Sequence, residues 1–197
     1  GVDLTFSGDI IRNDKFTWSS SLLLSTFKNK ITKLSDNGSD QIISSSTILK
    51  VGEPINSFYL PKTAGVDPET GLMQYWIPGK DENGNEVMEL TTDYSNATAN
   101  GRQICGSRVP DLTGSFSNSF RYRDFDLSIL TTFSIGGKIY DTTYGTLMDM
   151  RNLGYTWSVD MLDRWQKPGD ITDVPRLQAG RNSQFDDRLL LNASYFS

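Results

Sequence analysis

The stretch LTGSFSNSFRYRDFDLSILTTFSI, running from Leu112 to Ile135, decides the fold class of this chain. Leu112, Gly114, Phe116, Phe120 and Tyr122 fall on one face of an extended chain, and Thr113, Ser115, Ser117, Ser119 and Arg121 on the other. After Arg123-Asp124 the alternation resumes: Phe125, Leu127, Ile129, Thr131, Phe133 and Ile135 stand opposite Asp126, Ser128, Thr132 and Ser134. Strand side chains alternate between faces with a period of two, so each half reads as a strand with one apolar and one polar face. The polar pair between them makes a hairpin with a short turn. Gly136-Gly137 predicts a bend or bulge before Lys138-Ile139-Tyr140.

The N-terminal segment repeats this design. Val2, Leu4, Phe6, Gly8 and Ile10 oppose Asp3, Thr5, Ser7 and Asp9; Arg12-Asn13-Asp14-Lys15 is a compact polar turn. The partner strand sets Phe16, Trp18, Leu22 and Leu24 against Thr17, Ser19, Ser21 and Ser25, and is expected to run on to Lys33. The chain therefore divides into a hairpin (2–33), a long polar loop with small strands (34–110), a second hairpin (111–141), another long loop (142–191) and the start of a strand (192–197). Within the first loop, Ser57 to Ala64 and Leu72 to Ile77 read as strands joined by Asp67-Pro68-Glu69-Thr70-Gly71, where Pro presets φ and Gly accepts positive φ. Asp81-Glu82-Asn83-Gly84-Asn85 is a further turn. In the second loop, Ser158 is placed to cap a short helix near 158–166 with Val159, Leu162 and Trp165 on one side, ended by Lys167-Pro168-Gly169.

Composition excludes several functions. The chain has 197 residues, net charge −5 and no basic stripe, which disfavours nucleic acid and anionic lipid surfaces. Histidine is absent, which removes Ser-His-Asp and Cys-His catalysis and every His-containing zinc site. The single cysteine, Cys105, excludes an internal disulfide and a CxxC metal site, and reads as an inert thiol. No stretch approaches the ~20 apolar residues of a membrane helix, a test that a membrane barrel does not have to pass. Aromatics at 11% argue against general disorder.

Three features point to an outer-membrane β-barrel. The turns at 12–15 and 123–124 are short while the connections at 34–110 and 141–191 are long, as with periplasmic turns and extracellular loops. Phe16, Trp18, Phe120, Tyr122 and Phe125 gather beside the short turns, as an interfacial girdle does. The polar face is mostly Ser and Thr, suited to a crowded lumen. A soluble β-sandwich alternates in the same way and buries the same aromatics in a core, so periodicity alone leaves both readings open.

A co-linear series of motifs extends the reading. It comprises Gly1-Val2-Asp3-Leu4; Phe16-Thr17-Trp18; Asn29-Lys30-Ile31-Thr32-Lys33-Leu34; Gly52-Glu53-Pro54-Ile55-Asn56-Ser57-Phe58-Tyr59; Ala64-Gly65-Val66-Asp67-Pro68-Glu69-Thr70-Gly71; Phe133-Ser134-Ile135-Gly136-Gly137-Lys138-Ile139-Tyr140-Asp141; Trp165 with Asp173-Val174-Pro175-Arg176-Leu177; and Ala193-Ser194-Tyr195-Phe196. Taken in order, these resemble the C-terminal barrel of SusC/RagA-type TonB-linked outer-membrane transporters. The resemblance implies an all-β fragment of a large antiparallel barrel that imports oligosaccharides or peptides beside a SusD-like surface lipoprotein, powered through TonB. The plug, the TonB-contacting segment and most barrel strands of that family are not in this stretch, which is therefore expected to be a piece of the parent.

No catalytic residue, metal site or cofactor is expected. Asp81-x-Asn83-x-Asn85 partly imitates a calcium loop, but its Gly stands at the fourth position and no Glu follows at the twelfth. Asp186, Asp187 and Glu53 have no spacing that places a glycosidase pair. Tyr59, Tyr75, Trp76, Tyr94 and Trp157 lie in the loop regions and are the candidate cargo contacts, since amphipathic rings suit sugar or peptide binding. Loop packing is the alternative role for each.

Overall fold

A computed structural model describes residues 1–34, 41–150, 154–178 and 185–197. In chain order the strands are β1 (Val2–Arg12), β2 (Phe16–Thr26), β3 (Gln41–Ile43), β4 (Thr47–Lys50), β5 (Ser57–Val66), β6 (Met73–Lys80), β7 (Glu86–Thr91), β8 (Arg102–Ser107), β9 (Leu112–Tyr122), β10 (Phe125–Ile135), β11 (Lys138–Tyr140), β12 (Leu190–Asn192) and β13 (Tyr195–Phe196). Two short helices, α1 (Tyr94–Asn100) and α2 (Thr142–Leu147), accompany them.

The two hairpins join into one antiparallel sheet of order β1-β2-β9-β10-β13. Its register carries the sequence alternation across all four long strands. One face holds the rows Leu4, Leu24, Gly114, Phe133 and Phe6, Leu22, Phe116, Thr131. The opposite face holds Asp3, Ser25, Thr113, Ser134 and Asp9, Ser19, Ser119, Ser128. Beside the short turns, Phe120 stacks on Trp18 at 5.7 Å and on Phe16 at 6.5 Å, so three of the five rings expected in the girdle form one contiguous stack. A bulge between Asp9 and Ile11 interrupts the period, so that Ile11 rather than Ile10 lies opposite Trp18 and Arg12 lies opposite Thr17. The second turn is tight, with Arg123 at φ +53°.

A sandwich would bury the apolar face under a second sheet. Here Phe6 is 60% exposed, Leu127 56% and Phe125 79%. An apolar face of this extent, banded by aromatics and covered by no other element among the described residues, is what a lipid-facing wall requires. The sandwich reading therefore gives way to the barrel reading.

The loops are more ordered than their polar composition suggested. β2 stops at Thr26 rather than running to Lys33, and residues 29–31 leave it to bond the turn after β4: the Ile31 N–H donates to the Glu53 carbonyl and the Asn29 carboxamide oxygen accepts from the Ile55 N–H. The region 34–110 holds a second sheet of order β3-β4-β5-β6-β7, with β8 on the other edge of β5. The Asp67–Gly71 and Asp81–Asn85 turns close β5-β6 and β6-β7 as expected. Helix α1, capped by the Asp93 side chain on the Ser95 N–H, buries Ala97 against Met73 and Tyr75. Strands β11 and β12 pair to bracket the second loop. The helix expected near 158–166 is a 3-10 turn, Val159–Asp163, with Ser158 as its cap as read. Its inward residue is Met161; Val159 and Leu162 face solvent, and the turn ends at Arg164 before the Lys167-Pro168-Gly169 stop. Val159 and Leu162, three residues apart, still share one side of the 3-10 turn, but that side faces solvent, and Trp165 lies beyond the end of the turn.

Candidate functional site

The two long loops are stapled together. Trp165 donates from Nε1 to the Pro68 carbonyl at 2.8 Å, its N–H donates to the Val174 carbonyl, and the Arg176 N–H donates to the Gly71 carbonyl. Gly71, at φ +70°, lies against the Trp165 ring: a Cβ there would sit 2.4 Å from ring carbons. Trp165 thus closes the turn of the first loop onto the body of the second.

Below this staple lies a buried ion pair. Asp186 is completely buried, and Arg188 meets it through two hydrogen bonds, Nε to Oδ1 at 2.9 Å and Nη2 to Oδ2 at 2.7 Å. Arg188 Nη1 donates to the Asp173 carbonyl at 3.0 Å. Burial pushes the Asp186 carboxyl up from its ordinary value, and Arg188 pulls it back. Neighbouring Asp187 accepts from the Thr63 N–H and hydroxyl, occupying the edge of β5 beyond the end of β8. The Tyr144 hydroxyl donates to Asp160 at 2.7 Å, and burial together with that carboxylate pushes its pKa up to about 12.

Beside the pair is a partly enclosed cavity of about 510 Å³. Met73, Met148, Val174 and Leu189 supply its apolar wall, and Thr63, Tyr144, Asp173 and Arg188 its polar groups. Met148 is one of three buried methionines, with Met150 and Met161, that pack under Tyr144, Trp157 and Val174.

The five candidate aromatics are scattered around this layer. Tyr75 is 2% exposed, its ring edge-on to Tyr94 at 5.7 Å, and burial raises its pKa. Tyr94 is half-buried and donates its hydroxyl to the Phe185 carbonyl. Trp157 is half-buried on the methionine cluster, with its Nε1 buried and without an acceptor among the described residues. Tyr59 and Trp76 are likewise half-buried, on β5 and β6; Trp76 lies opposite Lys62 and Leu90. Sequence reading missed the Asp186–Arg188 pair and the Trp165 staple. The Asp-x-Arg spacing around a 3-10 turn was the one available signal, and it is common in solvated loops.

Among the described residues no group of three His, Cys, Asp or Glu side chains stands close enough to hold a metal. Burial raises the Cys105 thiol, whose Sγ donates to the Gln103 carbonyl. Among the described residues no helix is long and apolar enough to cross a membrane.

A strongly two-faced antiparallel sheet, with short turns at one end and an ordered loop layer at the other, is a stretch of outer-membrane β-barrel wall. Comparison with known proteins gives the family. The chain is 30% identical over 206 residues to TonB-dependent receptor P3 of Formosa agariphila, covering 99% of this chain and 20% of that protein. It is 27% identical to TonB-dependent receptor P39 of the same organism, covering 100% and 23%. Among solved structures, it matches the RagAB peptide transporter at TM-score 0.79 and 32% identity, and the RagAB peptide importer in its closed-closed state at 0.82 and 30%, in each case over 98% of this chain and 21% of that one. No family model matches. The chain is a segment of a SusC/RagA-type TonB-dependent receptor of the outer membrane, and spans about a fifth of the length of the relatives it matches.

Proposed function

We propose that the parent protein imports oligosaccharides or peptides across the outer membrane, together with a SusD-like surface lipoprotein and with energy delivered through TonB. In this reading the segment acts as wall and loop layer and carries out no catalysis. The carrying observation is the five-stranded sheet: a lipid-compatible face on one side and rows of Ser, Thr and Asp on the other, suited to a wet lumen. Its likeness to a peptide transporter supports the same reading. Of the five aromatics, Tyr59, Trp76, Tyr94 and Trp157 are partly exposed and remain the cargo candidates, while Tyr75 acts from within the core.

The test is uptake by cells lacking the parent gene and then given it back. Restored import of labelled oligopeptide or oligosaccharide that a proton ionophore abolishes supports the proposal. Import that continues unchanged in the absence of TonB contradicts it.

A further inference from the structure

We propose that the cavity beside Arg188 is a cargo subsite that takes one apolar side chain of an extended peptide, with a main-chain carbonyl of that peptide accepting from the guanidinium. This inference rests on the transport reading and deepens it by choosing between its two cargo classes.

Shape comes first. A volume of about 510 Å³ holds one large side chain and the main chain on either side of it, within the range of small-molecule pockets. The cavity sits in the layer built by both long loops, at the end of the sheet away from the short turns. It is therefore on the side where cargo arrives in a barrel of this kind.

Chemistry then selects the occupant. The apolar wall is Met73, Met148, Val174 and Leu189, flexible thioethers and branched chains that adapt to varied aliphatic shapes. Such a wall strands the many hydroxyls of a sugar, which need hydrogen-bond partners once out of water. Arg188 has five N–H groups, of which three are taken by Asp186 and the Asp173 carbonyl, leaving two without an acceptor among the described residues. Its charge is balanced by Asp186, and Asp160, Asp173 and Asp187 lie around it. A free carboxylate meets three further acidic groups there and an ammonium meets the guanidinium, so a neutral carbonyl is the fitting acceptor.

The experiment uses the intact receptor with its lipoprotein partner in lipid. The probes are a pentapeptide with central photo-leucine, its leucine and aspartate counterparts, and a maltooligosaccharide. The expected result is photo-crosslinking to Met73, Met148 or Val174, competed by the leucine peptide and not by the aspartate one. Filling the cavity with Val174→Trp is expected to weaken leucine-peptide binding about 10- to 100-fold, the range for losing burial of one such side chain. The wild-type crosslink keeps the test decisive even where V174W fails to assemble. Peptide bound with crosslinks confined elsewhere overturns the subsite. Maltooligosaccharide bound and imported with no peptide binding overturns the subsite while sparing the transport reading. Import of neither cargo overturns both.

Discussion

Individual residues in the loop layer carry stability out of proportion to their number. Asp186 is fully buried and Arg188 is bound to it through two atoms. Removing one partner leaves the other charge without compensation in a dry site. Asp186→Ala is accordingly expected to lower stability of the loop layer by about 3–5 kcal/mol, read as increased protease cleavage or hydrogen exchange around residues 185–190. A variant with unchanged protection there would contradict the pairing. Gly71→Ala is a second test, since the new methyl meets both the Trp165 ring and an unfavourable φ of +70°. It is expected to open the Trp165–Pro68 staple, seen as a red shift in tryptophan emission. The Trp18 Nε1–Asn118 bond of 3.0 Å keeps a carboxamide tied to an indole on the lipid face, and neither side chain's sequence context announced it.

At the scale of elements, the β5-β6 hairpin offers a pH test. The Thr70 hydroxyl, then the Glu69 N–H, hold the Asp67 carboxyl below the ordinary aspartate range. A depressed folded-state pKa contributes stability that is fully present above the unfolded value and is lost as pH falls through the folded one. Amide protection of Gly71, whose N–H donates to the Asp67 carbonyl, is therefore expected to persist to below about pH 4, and Thr70→Val to move its loss to higher pH. Equal pH profiles for the two proteins would remove Asp67 from the account. This hairpin was legible because Pro, Gly and a capping Asp encode turns locally. The long strands were legible because each carries its own alternation. Strands β3, β4, β7 and β8 were not, since six residues or fewer give no reliable period and their partners are remote in sequence. The turn after Ser158 was recognised by its cap, but its Val159–Leu162 side was taken as the inward one, and the inward residue, Met161, was missed with it. The cavity was beyond sequence reading altogether, because Thr63, Met73, Met148, Val174 and Arg188 converge only through the fold of both loops.

For the whole molecule, the central claim is that the sheet faces lipid on one side and water on the other. Charge placement tests it first: Ile129→Lys, near the middle of β10, is expected to cost about 2–4 kcal/mol in the bilayer, whereas Ser128→Lys, one residue before it, faces the lumen and is expected to assemble normally. Cell-surface abundance of the intact receptor reads both outcomes. The most direct measurement is a nitroxide scan along β10. With Cys105 replaced by serine, single cysteines are introduced from Asp126 to Phe133 in the intact receptor in lipid bilayers, and their accessibility to oxygen and to a water-soluble nickel chelate is recorded. The structure predicts oxygen maxima at Leu127, Ile129, Thr131 and Phe133, nickel maxima at Asp126, Ser128, Leu130 and Thr132, and a period of two throughout. Uniform access to nickel at all eight positions would contradict the barrel wall.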